Sequence, residues 1–376
     1  HCARRLAEHG QAVTLFEPRD RFEKPCGGGI PDRALGRFPF FADPRLPTKL
    51  VRLCRVIAPS DRMVEITLDH PLRIFSRCDL HALLLDRAAE AGVLTVRARV
   101  VSCDREADGA RGWRLRARQA DGAVFEHGPF DYLVAADGAA GAIHRRLAGS
   151  PPPRSTQGLG YYVPDLSEDW VTLKFFDGLD GYLWVFPRPG HSSVGICGGL
   201  GVRPAATLRA LMDRFLRRQY GEARLARAIP YAALIPDAPP SPDPDTLRGD
   251  GWALVGDAGR FVDPITREGI YYALASAELL AACLAEGRPE LYPARWSAEI
   301  GRELTWAARH VRGFFDRRFV ERLVVLCALS PRIGRVMADL IAGRQRYRDL
   351  RRRLLRALPV VGWQVATRII RPARGS

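Results

Sequence analysis

The sequence predicts a mixed α/β (α+β) fold in which two kinds of sheet alternate along the chain and helices follow. Three observations favour this class. Short apolar runs before helical segments, such as 252–255 before an Ala- and Leu-rich stretch, are typical of buried strands. Four runs between 158 and 197 place apolar residues at alternate positions, between Gly, Pro and Asp turns, which indicates an antiparallel sheet. From residue 293 onwards, apolar residues recur at helical spacing.

The composition is that of a globular protein of about two domains. The chain has 376 residues, and its 47% apolar content is enough for a sizeable core. No run of about 18 uncharged apolar residues predicts a spanning helix, and the first residues contain no apolar secretory core. None of the eight cysteines forms a Cys-x-x-Cys pair, so no metal site is predicted. We therefore expect reduced thiols and a cytoplasmic location.

The net charge of +15 is concentrated at the C-terminal end. Residues 309–376 contain 17 Arg and four acidic residues, a net +13, which leaves only +2 for the rest of the chain. Helices packed on a core with solvated Arg faces would explain this. The alternative is an interfacial segment on the inner face of an anionic membrane, where each basic residue adds roughly 1 kcal/mol. Nucleic acid is a poorer match because no recognised binding module accompanies the charge.

The first residues resemble the second half of a βαβ nucleotide-binding unit. Residues 1–9 predict a helix closed by Gly10, and 11–17 predict a strand that ends in Glu17. In such units a strand-final acid holds the ribose hydroxyls. The first strand and the glycine loop would lie before His1, so we expect the chain to be an N-terminally incomplete fragment. A native mass no larger than that of this chain would exclude this hypothesis.

The next segments prepare a possible ligand site. Three consecutive glycines at 27–29 let backbone pass close to a flat ring, although a flexible turn is the plainer interpretation. Alternation over 49–75 predicts antiparallel strands, and Asp79 is placed to cap a helix at 81–91. Further on, the pattern predicts a strand at 93–103, a small meander at 113–125, and a strand at 131–136 that ends in Asp137-Gly138.

The antiparallel block carries a row of aromatic residues. Residues 150–154 form a stiff Pro-rich linker before it. Tyr182, Trp184 and Phe186 share one face of a strand because strand side chains alternate. Such a face is usually core, but it would also suit a wall that binds a long apolar substrate. The glycines of 195–201 do not form a second nucleotide loop, since the strand before them belongs to the antiparallel block.

Residues 252–286 are the stretch around which the chain is organised. Gly256 and Asp257 end a strand, a loop with Pro264 follows, and Gly269 opens a long apolar helix. A helix N-terminus offers free N–H groups and a partial positive charge, which suit an anion or an electron-rich ring edge. The carboxylate before it is placed to bind hydroxyls. A flavin offers both, through its ribityl chain and its N1/O2 edge, although a connection without a ligand is equally compatible with the pattern.

Several stretches together resemble one flavoprotein family. They are Val-Gly-Asp-Ala with Asp-Pro-Ile-Thr-Arg-Glu-Gly-Ile (255–270), Lys-Pro-Cys-Gly-Gly (24–28), the Asp-Gly turn before a basic-ended helix (137–147), and Tyr-x-Trp-x-Phe-Pro (182–187). Over roughly 1–300 the chain is similar to the geranylgeranyl reductase family, within the para-hydroxybenzoate hydroxylase-like flavoproteins. That family usually has Gly where this chain has Arg267, which places an arginine beside the flavin edge.

The resemblance implies a domain arrangement. It predicts a Rossmann-like FAD-binding domain interleaved with an antiparallel β-sheet substrate domain, followed by a C-terminal basic helical region. The implied boundaries are 1–48, 76–149 and 246–290 for the FAD-binding domain, 49–75 and 150–245 for the substrate domain, and 291–376 for the helices.

The resemblance also implies roles for residues. Asp257 would hold the ribityl chain, Arg77 a phosphate, and Gly269 and Ile270 the N1/O2 edge. Cys26 would tune the flavin, line the pocket or supply a proton, and a packed thiol without chemistry is equally compatible. The substrate wall would be lined by Tyr182, Trp184 and Phe186. The candidate catalytic residues are Cys26 and Tyr182. The predicted cofactor-binding residues are Glu17, Cys26, Gly27, Gly28, Arg77, Val101, Asp137, Gly256, Asp257, Pro264, Gly269 and Ile270.

The predicted function is an FAD-dependent oxidoreductase that reduces C=C bonds of a prenyl or isoprenoid chain. The protein would orient the substrate, and the flavin would supply the hydride after reduction by NAD(P)H or a ferredoxin-like protein. One alternative is a flavin monooxygenase of an aromatic or polyketide substrate, which would consume O2. The other is not an enzyme: a protein that binds membranes or anionic surfaces and retains a relic flavin fold.

Overall fold

The computed structural model describes residues 1–106, 112–149 and 154–357, and the chain forms two compact units. Each unit is assembled from three separate segments, so the chain passes between the units repeatedly. The first unit contains 1–24, 77–156 and 234–308, and the second contains 25–76, 157–233 and 309–376. These limits differ from the predicted boundaries, since residues 25–48 lie in the second unit and residues 291–308 in the first.

The described part of the chain alternates short strands with helices until its C-terminal helices. The strands are β1 Thr14–Phe16, β2 Gly29–Ile30, β3 Thr48–Ile57, β4 Met63–Phe75, β5 Leu94–Val96, β6 Arg99–Arg105, β7 Trp113–Arg118, β8 Val124–Phe130, β9 Leu133–Ala135, β10 Ser155–Pro164, β11 Trp170–Phe175, β12 Tyr182–Arg188, β13 His191–Gly199, β14 Ile229–Pro236, β15 Arg248–Gly249 and β16 Trp252–Leu254. The helices are α1 Cys2–Glu8, α2 Arg33–Arg37, α3 Arg77–Glu90, α4 Ile143–Ala148, α5 Ala205–Tyr220, α6 Glu222–Ala226, α7 Ile270–Ala285, α8 Tyr292–Trp296, α9 Arg302–Phe315, α10 Arg317–Leu329, α11 Pro331–Ile341 and α12, residues 347–357.

The first unit contains three small sheets. Strands β9 and β16 pair in parallel, with Leu254 opposite Ala135, and β15 adds an antiparallel edge. Strand β1 pairs in parallel with β5, and β6, β7 and β8 form the predicted meander. Buried Trp113 and Ile143 join these sheets to α4 in one apolar cluster.

One strand prediction in this unit is wrong. The run at 93–103 divides into β5 and β6, which belong to different sheets. The Ala98 N–H donates to the Val96 carbonyl, so the chain turns between the two strands. The apolar pattern continues through this turn because Ala98 is itself buried, and periodicity alone could not locate the break.

The second unit is built on an eight-stranded sheet, in the order β14-β10-β13-β12-β11-β3-β4-β2. The predicted sheet was wholly antiparallel, which is wrong where β11 pairs with β3 in parallel, with Val171 opposite Cys54. The junction joins two hairpin blocks that are far apart in the sequence, so hairpin spacing could not reveal it. Helix α5 packs on one side of the sheet through Leu208 and Met212, and α10 and α11 pack against β3 and β4.

From α7 onwards the described chain is helical, as the spacing predicts, but its helices are shorter. The spacing predicts one helix over 295–318, whereas the structure divides this stretch into α8 and α9 by a π-helical turn at Ser297–Gly301. The spacing also predicts helices over 319–329 and 332–342, and α10 and α11 lie close to these positions. Within the described ranges, no helix has the length and apolar character needed to cross a bilayer.

A buried lysine connects two parts of the large sheet. Lys174 on β11 is 4% exposed, and its Nζ donates to the Ala58 carbonyl and to Asp61 Oδ1, both at 2.6 Å. Asp61 lies in the β3–β4 turn with φ of 67°. The hydrogen bond from Lys174 lowers the pKa of Asp61 below its usual value. The lysine therefore fixes the hairpin turn to a strand outside the hairpin.

Replacing this lysine tests the connection. We expect Lys174→Ala to lower the free energy of unfolding by about 2–3 kcal/mol, because it removes one of two donors to the Ala58 carbonyl, removes the inner partner of Asp61, and removes buried side-chain volume. Arg218→Gln removes only the outer partner of Asp61, a pair that is mostly exposed, and should cost less than about 1 kcal/mol. Urea unfolding followed by tryptophan fluorescence measures both.

The same pair predicts a pH dependence. Because the folded-state pKa of Asp61 is lowered, its contribution is present at neutral pH and is lost as the pH falls through that lowered pKa. The difference between the wild type and Lys174→Ala should therefore shrink in acid. A difference that is constant from pH 7 to pH 3 would contradict this assignment.

Candidate functional site

Two acidic turns lie at one edge of the β9–β16 sheet in the first unit. Each strand is followed by a glycine and an aspartate, as Asp137-Gly138 after β9 and Gly256-Asp257 after β16. The strands are parallel neighbours, and the Val255 N–H extends their pairing by donating to the Ala135 carbonyl at 3.1 Å. Both acids therefore leave the sheet at its carboxyl end, the edge at which open α/β sheets bind ligands.

The turn after β16 leads into α7 as predicted. Gly256 has a left-handed φ of 60°, and its N–H donates to Ser276 Oγ on α7 at 3.0 Å. Gly269 is the N-cap residue of α7. A Cβ on Gly269 would lie 3.2 Å from Asp257 Oδ1, so the helix N-terminus and the carboxylate are close neighbours. The N–H groups of Gly269 and Ile270 have no intrahelical partner at this end of the helix.

Asp257 forms an ion pair with Lys24. Lys24 Nζ lies 2.9 Å from Asp257 Oδ2, with 44% of the Lys24 side chain exposed and 18% of the Asp257 side chain. Lys24 begins the Lys-Pro-Cys-Gly-Gly stretch. The contact therefore connects two of the stretches that carry the family resemblance, and it offsets part of the negative charge beside the start of α7.

Two arginines in the loop before α7 have strained backbones. Arg260 has φ of 60° and Arg267 has φ of 59°, and each left-handed non-glycine residue costs about 1 kcal/mol or more. Both side chains bind Asp237. Arg260 donates to its carbonyl through Nε at 2.9 Å and Nη2 at 2.7 Å, and Arg267 Nη1 lies 3.3 Å from its carboxylate. Burial lowers the pKa of Arg260, and Asp237 acts in the opposite direction.

Asp237 was not among the residues predicted from the sequence. It also accepts a hydrogen bond from the Thr156 hydroxyl at 2.8 Å, so it is held from a third direction. It lies in a Pro- and Asp-rich segment that predicts only a loop. The only sequence feature that pointed to such an acid was Arg267, which stands where the family usually has Gly. A buried arginine requires an acidic partner.

The remaining loop residues shape the start of α7. Asp263 Oδ1 accepts the N–H groups of Ile265 and Thr266 at 2.8 and 3.0 Å, which folds the chain around buried Pro264. Glu268 Oε1 accepts the N–H of Tyr271 at 2.6 Å. These carboxylates organise the loop itself.

Arg77 is the first residue of α3, which begins four residues before the predicted helix. Glu23 accepts the N–H groups of Arg77 and Cys78 at 2.9 and 3.0 Å and thereby caps the helix. The prediction of Asp79 as the cap is wrong, because Asp79 lies inside the first turn and pairs with Arg21 at 3.1 Å. A cap supplied by Glu23, distant in the sequence, cannot be found from local capping patterns.

Three further predicted residues lie on different elements of the first unit. Glu17 follows β1 and accepts the Arg19 N–H at 3.1 Å. Val101 lies where the β6–β7 register shifts. Asp137 caps α4, with Oδ2 accepting the Ile143 N–H at 2.8 Å and Oδ1 3.2 Å from His144 Nδ1.

The electrostatics of Asp137 follow from this capping position. Burial acts to raise its pKa, but the His144 side chain and the backbone N–H groups outweigh burial, and the pKa is lowered. The carboxylate is therefore ionised and turned towards the N-terminus of α4. Its contacts fix the turn that follows β9.

In the second unit, the Cys26 loop lies against β12. The Gly28 N–H donates to Cys26 Sγ at 3.1 Å, and Gly28 has a left-handed φ of 78°. A Cβ on Gly27 would lie 2.2 Å from the Phe186 ring. Glycine is therefore required where the loop backbone meets the aromatic strand.

A fully buried arginine holds this loop. Arg188 donates through Nε to the Gly27 carbonyl at 3.1 Å and through Nη2 to the Cys26 carbonyl. Ser193 Oγ also donates to the Cys26 carbonyl at 2.8 Å and lies 2.8 Å from the Tyr231 hydroxyl. Burial raises the pKa of Tyr231, so its hydroxyl keeps its proton. Arg188 was not predicted, although it occupies the next alternate position after Phe186.

The three predicted wall residues lie on one face of β12. Tyr182 and Trp184 are buried in an aromatic cluster with Tyr231, and Phe186 packs at its edge. The Tyr182 and Trp184 rings are 6.1 Å apart in an edge-to-face arrangement. Among the described residues, Trp184 Nε1 is buried and has no hydrogen-bond partner. The face is thus mainly apolar, with one indole donor.

No family model matches the chain. It is 28% identical to the digeranylgeranylglycerophospholipid reductase of Methanoculleus marisnigri, over 76% of this chain and 74% of the relative. It is 33% identical to the menaquinone reductase of Mycobacterium tuberculosis, over 54% of this chain and 50% of the relative. A geranylgeranyl bacteriochlorophyll reductase-like protein from Thermoplasma acidophilum has a TM-score of 0.71 at 21% identity and covers 94% of both chains.

A second structural match supports the fold class. The flavin-dependent brominase Bmp2 has a TM-score of 0.62 at 17% identity and covers 91% of this chain and 90% of its own. The two structural matches confirm the predicted flavoprotein fold. The sequence relatives confirm the predicted resemblance.

Removing the Arg188 guanidinium should release the Cys26 loop. We expect Arg188→Met to increase amide hydrogen exchange at residues 27–29 at least ten-fold, because the Gly27 carbonyl loses its buried donor and the Cys26 carbonyl keeps only Ser193. Arg188→Lys should retain part of the protection. Arg203→Met is a matched control, since Arg203 donates to the Gly178 carbonyl elsewhere in the same unit. Equal exchange at 27–29 in the Arg188→Met and Arg203→Met variants would contradict the assignment.

Proposed function

We propose that this chain, a homologue of the geranylgeranyl reductases, is an FAD-dependent oxidoreductase that saturates C=C bonds of a prenyl chain. The observation that carries the proposal is the arrangement after β16. There an ion-paired Asp257 lies against the N-cap of α7, at the carboxyl edge of a parallel strand pair.

The residues of the first unit fit FAD. Asp257 would bind ribityl hydroxyls, and the N–H groups of Gly269 and Ile270 would face the N1/O2 edge of the ring. Arg267 adds a buried Nε with no partner among the described residues, a donor that suits an electron-rich ligand. Glu17 and Arg77 would hold the adenosine ribose and a phosphate.

When bound, FAD supplies hydride transfer to one carbon of the alkene, and a proton must reach the other carbon. The chain's own residues orient the substrate and exclude water. The aromatic face of Tyr182, Trp184 and Phe186 would contact the apolar prenyl chain. Cys26, whose loop Arg188 holds in place, and Tyr182 are the proposed proton donors, with bound water as the third source.

The relatives' names support one class of substrate. One is named for digeranylgeranylglycerophospholipid and another for menaquinone. We propose that this chain acts on an isoprenoid tail carried by a polar lipid or a quinone head. The apolar face of β12 would contact the tail, which such substrates share.

The test is anaerobic saturation of a prenyl chain. Protein reconstituted with FAD and reduced by dithionite should add two hydrogen atoms per reduced bond to a geranylgeranyl lipid or to menaquinone, as measured by mass spectrometry. NADH, NADPH and reduced ferredoxin are then compared as donors. Asp257→Ala should lose FAD and activity together. Bound, reducible FAD without saturation, combined with substrate-dependent O2 consumption, would favour a monooxygenase instead.

We also propose that α12 contacts an anionic membrane surface. Leu355 is 54% exposed, and it lines a surface groove of about 470 Å³ together with Arg348, Arg351, Arg352 and Arg356. An apolar side chain surrounded by arginines suits the headgroup region of a bilayer. This position would keep the enzyme beside a lipid substrate.

Vesicle binding tests the membrane contact. Arg351→Gln with Arg352→Gln should weaken binding to phosphatidylglycerol-containing vesicles about ten-fold or more, since each basic residue contributes roughly 1 kcal/mol. Arg116→Gln with Arg118→Gln removes the same charge from exposed positions on β7 and should have little effect. Equal losses for both pairs, or equal binding to neutral vesicles, would refute the contact.

A further inference from the structure

We propose that Arg267 stabilises the negative charge that the flavin N1/O2 edge acquires on reduction, and so raises the reduction potential of bound FAD. The inference rests on the proposed FAD-dependent function. It concerns a residue at which this chain departs from the family pattern.

The first supporting observation is the backbone of Arg267. Its φ of 59° is left-handed, a conformation that favours glycine. Two hydrogen bonds hold the loop in this shape: the Arg267 N–H donates to the Asp263 carbonyl at 2.9 Å, and the Asp263 N–H donates to the Glu268 carbonyl at 2.8 Å. Arginine is therefore less favourable than glycine here on backbone grounds alone.

The second observation is the state of the guanidinium. Only 9% of the Arg267 side chain is exposed. Its described ion pair, from Nη1 to Asp237 Oδ1, is 3.3 Å long, whereas strong charge-assisted bonds are about 2.7–2.9 Å. Nε is buried and has no hydrogen-bond partner among the described residues. A buried charged donor in this state is unfavourable unless a ligand supplies an acceptor.

The third observation is the position of Arg267 in the chain. It lies two residues before Gly269, the N-cap of the 16-residue helix α7. The N–H groups of Gly269 and Ile270 have no intrahelical partner, whereas that of Tyr271 is taken by Glu268. The helix N-terminus and the guanidinium therefore favour negative charge in the same region.

The surrounding charges only partly offset the positive charge of Arg267. Asp237 offsets part of its charge, and Lys24 offsets part of the charge of Asp257. Asp263 is directed to the loop N–H groups of Ile265 and Thr266. The ligand that matches these donors is a flat ring edge whose negative charge increases when it accepts electrons. A phosphate would use the same donors, but its charge would be the same in both redox states of the flavin.

The test compares redox states. Arg267→Gly fits the left-handed backbone, so its melting temperature should be unchanged or higher. We expect the ratio of the affinity for reduced FAD to the affinity for oxidised FAD to fall at least ten-fold. This corresponds to a reduction potential of bound FAD that is lower by about 30 mV for a two-electron couple. Sulfite adds to N5 of the oxidised flavin and gives an adduct with negative charge at the N1/O2 edge, so the affinity for sulfite should fall in parallel. Arg267→Lys should show a smaller change in both quantities.

Asp237→Asn is the control of opposite sign. It removes the counter-charge and keeps Arg267, so the potential should stay or rise. A purely structural pair would instead shift the melting temperature in both variants and leave the potential and sulfite affinity unchanged. That outcome, observed with FAD bound, would overturn this inference and leave the proposed function intact.

Two other outcomes would also overturn it. Equal weakening of both redox states by Arg267→Gly would show a phosphate contact. Absence of FAD binding by the wild type would refute the proposed function together with this inference.

Discussion

The parallel pairing of β9 with β16 is the constraint on which the first unit depends. Because both strands end at the same edge, the turns at Asp137 and Asp257 emerge together, and each leads to a helix. The two acids then have different surroundings. Asp137 is directed to the N-terminus of α4, whereas Asp257 is paired with a partly exposed lysine beside α7. One strand arrangement thus produces one turn whose carboxylate caps a helix and one turn whose carboxylate forms an ion pair.

The second unit solves a different problem, which is how to hold an irregular glycine loop against a sheet. Strand β12 supplies an aromatic face and, at its end, a buried guanidinium that binds the loop carbonyls. Glycine permits the close approach at Phe186, and Arg188 makes it stable. The sheet therefore orders the loop, and Cys26 is held in position although it lies in no helix or strand.

The sequence predicted the features that depend on local pattern. The start of α7, the hairpin of β3 and β4 and the aromatic face of β12 all follow from spacing. It could not predict partners that come from distant segments, because pairing of distant residues leaves no local period. Glu23 capping α3, the parallel junction of β11 with β3 and the convergence of two arginines on Asp237 are of this kind.

The left-handed backbone at Arg267 has an evolutionary consequence. Every arginine codon becomes a glycine codon through a single base change, so glycine is one mutation away at this position. Glycine would be easier to fold there, so selection for stability alone would favour the replacement. Selection would therefore remove the arginine from any lineage in which its charge has no use. The presence or loss of this arginine among near relatives of the chain would then show in which of them its charge is used.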